Sequence, residues 1–457
     1  MKGPLCSRML AARLFAALLV VNGAGCALDF PEGEDVHEPP PVTDTVGRHA
    51  DPERSAGAGD GGDASGIAAS RSEVRWRSCP TERAPTLECA TLTVPLAHDD
   101  PDEDRELDID LARLPATAAG AARPLVLGPA DPGARGTVLV ESLAGLGTVP
   151  DALRERFDLV GFDRRGTGTD TRLDCEDLGY LDTAEMLDDR ESIERFVHES
   201  AAAAARCAER HDGIVGHLGS NATVHDMDVI REALGVERLD FLGYSYGARL
   251  GALYLERFPE RAGRVVLDAS VAPSGGAERL ALDQASGLER ALDALLVDCG
   301  TRLSGCEPVA LGAALERRAD ELLALGAHDE VVLLASWLSF ALLEPTIGEL
   351  AIAPLLDYVE SGDVGVLIEF GALLETLGID PEASLADGSA TAARAVLCAD
   401  DPARPDADAL LELLSRLDAR RICSPRSSCR WPASASAGRW HAIRSRRSRR
   451  ERRRLRS

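Results

Sequence analysis

Leu239-Asp240-Phe241-Leu242-Gly243-Tyr244-Ser245-Tyr246-Gly247-Ala248-Arg249-Leu250-Gly251 is the stretch that decides the fold. Its first four residues are a short apolar run of the kind that forms a buried strand, and the residues after Gly247 have helical character. Between them, Gly243 to Gly247 fit the pattern G-x-S-x-G. A sharp strand-to-helix turn holds a serine in strained backbone geometry only when its neighbours are nearly without side chains, which is why Gly243 and Gly247 flank it. Such a turn lifts the Ser245 hydroxyl clear of the sheet and aims the Tyr246 backbone N–H at a developing oxyanion. The five-residue pattern alone is weakly specific; the strand before it and the helix after it give it weight.

Working outward, apolar runs at 124–127, 157–162 and 264–268 are further candidate parallel strands. Residues 90–95 and 107–114 alternate as half-buried strands do. Helical segments are expected at 192–210, 224–234 and 249–258. Strands alternating with helices predict a mostly parallel, doubly wound α/β sheet across 74–275. From 276 to 394 the pattern becomes helix after helix, an inserted unit expected to lie as a lid over the strand ends. Residues 395–418 read as the start of a return to the core.

The two ends differ in character. Lys2 and Arg8 followed by the apolar run 9–21 make 1–26 an export signal, and Gly23-Ala24-Gly25 before Cys26 reads as a lipoprotein cleavage box, with Cys26 as the lipidated residue. The protein is therefore expected to be exported, either anchored to a membrane by that lipid or secreted. Residues 27–73, rich in Gly, Pro and Asp, read as a disordered acidic linker. Residues 419–457 carry 14 Arg against one Glu, a net +13 that leaves −39 on the rest of a chain whose formal charge is −26. This tail reads as disordered and non-native, and the overall acidity excludes nucleic acid as an expected partner. Export permits disulfides, and spacing suggests Cys79–Cys89, Cys175–Cys207 and Cys299–Cys306, with Cys398 left unpaired. The absence of C-x-x-C or clustered Cys/His ligands argues against a metal site.

With these residues in view, the chain resembles secreted α/β-hydrolases of the prolyl/tripeptidyl aminopeptidase family of serine peptidases. The likeness rests on 88–96 (ECATLTVPL), 157–168 (FDLVGFDRRGTG), 243–251 (GYSYGARLG), Phe258-Pro259 with 264–268 (RVVLD), and 395–400 (AVLCAD). It implies an α/β-hydrolase fold with a helical lid, and a peptidase that releases residues or short peptides from N-termini. The implied chemistry runs through a Ser245 acyl-enzyme without metal or organic cofactor. A catalytically inactive binding protein is the alternative, and an esterase acting on a small ester is a third reading. The loop at 163–166 is expected to be structural, held by charge-assisted hydrogen bonds.

Two departures from the family pattern matter. The loop at 128–136, expected to give the second oxyanion donor, carries Asp131, whose carboxylate would repel the developing charge unless Arg135 neutralises it. Beyond Asp418 the chain shows neither the G-x-x-D-x-x-T-P-like loop nor a Gly-flanked histidine, so it reads as cut short or shifted in frame before its last two strands, with one sheet edge exposed. The histidines present are poor substitutes. His98, His198, His211 and His217 precede the elbow, His225 lies on the helix before its strand, and His328 falls in the lid. His441 is in the tail, and Asp268 stands where some α/β-hydrolases carry their acid.

Overall fold

The computed structural model describes residues 74–419, except 82–83, 119, 121, 176–189, 275, 303–305, 344, 377–388 and 402. Cys26, the linker at 27–73 and His441 lie outside the described residues. Among the described residues a seven-stranded sheet runs β1-β2-β3-β5-β4-β6-β7. The strands are β1 Arg77–Ser78, β2 Glu88–Pro95, β3 Glu106–Leu114, β4 Arg123–Gly128, β5 Phe157–Phe162, β6 Leu239–Tyr244 and β7 Ala262–Asp268. The first three strands and the β3–β5 pair are antiparallel, whereas β5, β4, β6 and β7 run parallel. Burial follows this division. In β2, Ala90, Leu92 and Val94 are buried while Thr91 and Thr93 face solvent, but in β4 and β5 the last four residues are all buried. Period-two alternation marks a sheet wet on one face, and a continuous run marks strands covered on both.

The helices are α1 Gly136–Leu146, α2 Asp151–Arg154, α3 Arg190–Arg210, α4 Ser220–Ala233, α5 Tyr246–Arg257, α6 Gly276–Arg302, α7 Pro308–Leu325, α8 His328–Leu343, α9 Pro345–Ser361, α10 Gly365–Thr376, α11 Ser389–Asp400 and α12 Ala407–Ala419. Helix α5 lies against β4, β6 and β7, while α1 lies against β3, β4 and β5. Each face of the sheet thus has its own apolar cluster, one around Phe241, Leu250 and Tyr254, the other around Leu127, Val140 and Leu159. Helices α6 to α10 close on a separate cluster that includes Leu296, Trp337, Leu338 and Tyr358. Among the described residues no helix is long and apolar enough to cross a membrane.

Cys79–Cys89, Cys175–Cys207 and Cys299–Cys306 are joined, as their spacing suggested. Cys398, expected to be unpaired, is also disulfide-bonded. Helix α1 was not anticipated. It has no side-chain N-cap, and its first residue, Gly136, lies so close to β5 that a Cβ there would strike the backbone of Phe162.

Because β4, β5, β6 and β7 are parallel, the segments that follow them all leave from one edge of the sheet. The loop at 129–135, the loop at 163–168 and the turn at Ser245 therefore converge. Clefts outside the carboxyl ends of such strands are where α/β sheets place their sites.

Candidate active site

Ser245 sits between β6 and α5 at φ 50° and ψ −107°. A non-glycine residue at positive φ is strained, of order 1–3 kcal/mol, and persists only where its surroundings over-determine it. The surroundings here are backbone. Ser245 N–H donates to the Asp268 carbonyl at 2.8 Å, and its own carbonyl accepts from Arg249 N–H at 3.3 Å and Val271 N–H at 3.4 Å. A Cβ at Gly243 would strike the Gly247 carbonyl, and one at Gly247 would strike the Gly128 carbonyl. The two glycines of the motif are thus required by close approach of β6, α5 and the end of β4.

Two backbone groups complete the elbow in a way the sequence did not suggest. Tyr246 N–H, read as an oxyanion donor, donates to the Ala130 carbonyl at 3.1 Å. Asp131 closes a turn of its own loop: its Oδ1 accepts from Gly133 N–H at 2.7 Å and its carbonyl from Ala134 N–H at 3.1 Å. Arg135 engages Asp163, with Nε 2.7 Å from Oδ2. Asp163 also accepts from Thr137 N–H at 2.9 Å, which ties the loop after β5 to the start of α1. Burial raises the pKa of this carboxyl, and the charge of Arg135 and the Thr137 hydrogen bond oppose that shift only in part.

Below the elbow, the Tyr246 side chain is buried, and its hydroxyl bonds with Ser220 Oγ and, at 3.4 Å, Asp400 Oδ2. Asp400 accepts from both the N–H and the hydroxyl of Ser220, and Arg249 Nη2 lies 3.5 Å from its Oδ2. Burial, then the Asp400 charge, push the phenol pKa upward, while Arg164, the Ser220 hydrogen bond and Arg249 pull it back. This relay joins the residue after the nucleophile to the last residue of α11. The stretch 395–400 was noted in the sequence, but not this connection.

The paired arginines of the 163–166 loop part company. Arg165 is fully buried and fully engaged: Nε and Nη2 hold the two carboxylate oxygens of Asp226 at 2.7 Å each, and the carbonyls of Pro95, Leu96 and His217 accept from it. This is the structural role expected of the loop. Arg164 is equally buried, yet among the described residues its Nε, Nη1 and Nη2 have no hydrogen-bond partner. Its guanidinium carbon stands 5.0 Å from the centroid of the Tyr246 ring. A desolvated cation–π contact contributes about 2 kcal/mol, whereas removing an ion from water costs on the order of several kcal/mol even after relaxation. The stacking does not offset the burial.

Among the described residues no side chain hydrogen-bonds the Ser245 hydroxyl. His98 pairs with Asp226 at 2.7 Å and stacks on His225 with ring centroids 5.1 Å apart. Burial lowers the pKa of His225, with the neighbouring His98 adding to the effect. His217 supplies its carbonyl to Arg165, and its ring pKa is lowered by burial and then by Arg165. His211 pairs with Asp174 at 2.9 Å, near Cys175 and Cys207, whose sulfurs are joined to each other. His198 is exposed on α3, and the residue at the start of α8 is His328. Asp268 serves the elbow through its carbonyl, and the residue is exposed.

Residues 140–308 match the family described as alpha/beta hydrolase fold. The chain is an α/β-hydrolase by fold. Among its curated relatives, the serine protease Hip1 of Mycobacterium tuberculosis is 34% identical over 245 residues, covering 51% of this chain and 46% of that protein. The tripeptidyl aminopeptidase of Streptomyces lividans is 30% identical over 217 residues, 45% of this chain and 40% of that protein. Carboxylesterase B of Mycobacterium tuberculosis is 29% identical over 237 residues, 49% of this chain and 45% of that protein. The match thus spans under half the length of these curated relatives, and the hydrolase fold comes with relatives named for peptidase and for esterase activity. The family resemblance read from the motifs is matched by the first two.

Proposed function

We propose that the protein is an exported serine hydrolase, a peptidase that releases residues or short peptides from N-termini through a Ser245 acyl-enzyme. The observation that carries this reading is the backbone of Ser245, held at positive φ between glycines at the carboxyl edge of the parallel strands. The Ser245 hydroxyl oxygen would attack the scissile carbonyl carbon and lose its proton to a base. The tetrahedral intermediate would then expel the amine, and water would release the acyl group. The Tyr246 N–H is the elbow's own oxyanion donor in this reading, and it becomes available when the Ala130 carbonyl leaves it. None of the described histidines takes the role of base. The relatives named as serine protease and tripeptidyl aminopeptidase support peptides over esters as substrates.

Export rests on the character of 1–26, with Cys26 as lipid attachment point, and the disulfides accord with an oxidising compartment. A membrane partner would follow from that lipid. The helical unit 276–394 is proposed as the lid.

The alternative, an inactive hydrolase-like binding protein, draws support from the Tyr246–Ala130 hydrogen bond, which occupies the oxyanion donor. A fluorophosphonate probe separates the two readings. Labelling of the folded full chain that is lost in Ser245→Ala is expected. A correctly folded protein that takes no label would overturn the enzymatic reading. Comparing turnover of peptide amides with short-chain esters then tests the choice of peptidase.

A further inference from the structure

The two oxygens of the Asp400 carboxylate have different partners. Helix α4 starts at Ser220, behind Gly219, a residue with no side chain to cap the helix. Asp400 Oδ1 takes that place from the end of α11, accepting from Ser220 N–H. A Cβ on Gly219 would stand 3.3 Å from Oδ1, so the carboxyl group packs directly on the helix start. Oδ2 faces α5 instead. It accepts from the Ser220 hydroxyl, lies 3.4 Å from the Tyr246 phenol oxygen and 3.5 Å from Arg249 Nη2. An ionised carboxylate only accepts, so the single Ser220 proton is spent on Oδ2 and the phenol donates in the Ser220–Tyr246 hydrogen bond. The charge of Asp400 thereby sets the direction of the whole chain, from phenol to Ser220 to carboxylate.

This chain ends on the elbow. Tyr246 is the first residue of α5, directly after Ser245, and its side chain is buried. A ring clamped at its hydroxyl leaves the backbone at its other end little freedom to turn, and that backbone carries the N–H now bound to the Ala130 carbonyl. Arg249, one turn further along α5, fastens the same helix to the same carboxylate. We propose that Asp400 is a positioning residue for the Tyr246 N–H, with Oδ1 serving the start of α4 and Oδ2 acting on the elbow through Ser220 and the phenol. A donor held in place before the reaction costs no reorganisation when charge develops, which is what makes such positioning matter. That this N–H meets an oxyanion rests on the reading of Ser245 as nucleophile; that Asp400 fixes it does not.

Asp400→Asn separates the two tasks, since the amide keeps an acceptor for Ser220 N–H and sets a donor where Oδ2 was. The first measurement is hydrogen exchange in the full chain carrying isotopically labelled tyrosine, with the Tyr246 amide identified by its loss in Tyr246→Phe. Exchange at Tyr246 is expected to quicken at least tenfold in Asp400→Asn, while Tyr254 and Tyr358 keep their wild-type rates. A purely structural carboxylate would leave Tyr246 unchanged or speed all three amides together, and either result would overturn the proposal. Ser220→Ala cuts the same link at its middle and is expected to reproduce the local effect, which serves as the reading if Asp400→Asn does not fold. The second measurement is the rate of fluorophosphonate labelling. It is expected to fall at least tenfold in Asp400→Asn and in Tyr246→Phe, and the double variant is expected to label no more slowly than Tyr246→Phe, because the carboxylate acts through the phenol. Undiminished labelling in Asp400→Asn, or effects that multiply in the double variant, would count against Asp400 as firmly. A wild-type chain that takes no label, yet whose Tyr246 amide alone responds to Asp400→Asn, would sink the nucleophile reading and leave the positioning of Tyr246 standing.

Discussion

A methyl group placed on residue 247 would meet the Gly128 carbonyl, and the atoms it strikes are backbone rather than the end of a flexible side chain. Overpacking of a filled interior costs about 1–3 kcal/mol, and here relief requires moving β4 or α5. Gly247→Ala is therefore expected to lower the unfolding free energy, read from denaturant titration, by an amount in that range and to slow fluorophosphonate labelling. Wild-type stability and labelling in that variant would contradict the close-approach account. The role of this glycine is legible in the sequence because the G-x-S-x-G pattern encodes a local turn. The difference between Arg164 and Arg165 is not. Adjacent residues of the same type acquire opposite roles because Asp226, 61 positions away from Arg165, turns its carboxylate toward one and not the other. The Ser220–Asp400 link has the same character, spanning 180 residues. Motifs report chemistry that neighbours in sequence create, and these contacts are created by the sheet.

Helix α4 shows how an element is fixed by such contacts. Its Asp228 accepts from Arg231 Nε at 2.8 Å, from Tyr254 of α5 at 3.1 Å, and from Arg261 in the turn before β7. Burial works against the ionised carboxylate, but the Arg231 hydrogen bond and charge, then Arg261 and Tyr254, outweigh it and lower the pKa. A carboxylate whose folded pKa lies below its unfolded value contributes stability above the unfolded pKa, near 4, and loses it as pH falls through the lowered folded value. Asp228→Asn is expected to cost about 1–2 kcal/mol at neutral pH, with Arg261 half exposed and screened. The gap between wild type and variant in urea midpoint is expected to hold from pH 7 to 5 and to close below about pH 4. A gap independent of pH would show that the charge of Asp228 is not what clamps the three elements. At this scale the sequence was informative where periodicity is: the six longer strands were anticipated within a few residues. It was silent on α1, whose start is set by the packing of Gly136 on β5 rather than by a cap or a polar face.

The sheet as a whole has two unlike edges. On one side β1 is two exposed residues, Arg77 and Ser78, short and charged as natural edges are. On the other, β7 is the outermost strand of the parallel set, pairing with β6 along one side only among the described residues. Parallel strands are ordinarily covered on both faces, yet Val266 is 56% and Leu267 36% exposed. An apolar parallel edge, unpaired among the described residues, is a template for another chain. The formal charge of −26 opposes close approach of two copies, so association is expected to grow with ionic strength as screening shortens the reach of that repulsion. Sedimentation velocity of the full chain across rising protein and salt concentration is expected to show self-association in the wild type. Val266→Lys sets a charge on the exposed edge without touching the elbow, and it is expected to keep the chain monomeric under the same conditions. If wild type and variant sediment alike as concentration rises, β7 is not the surface through which the molecule associates.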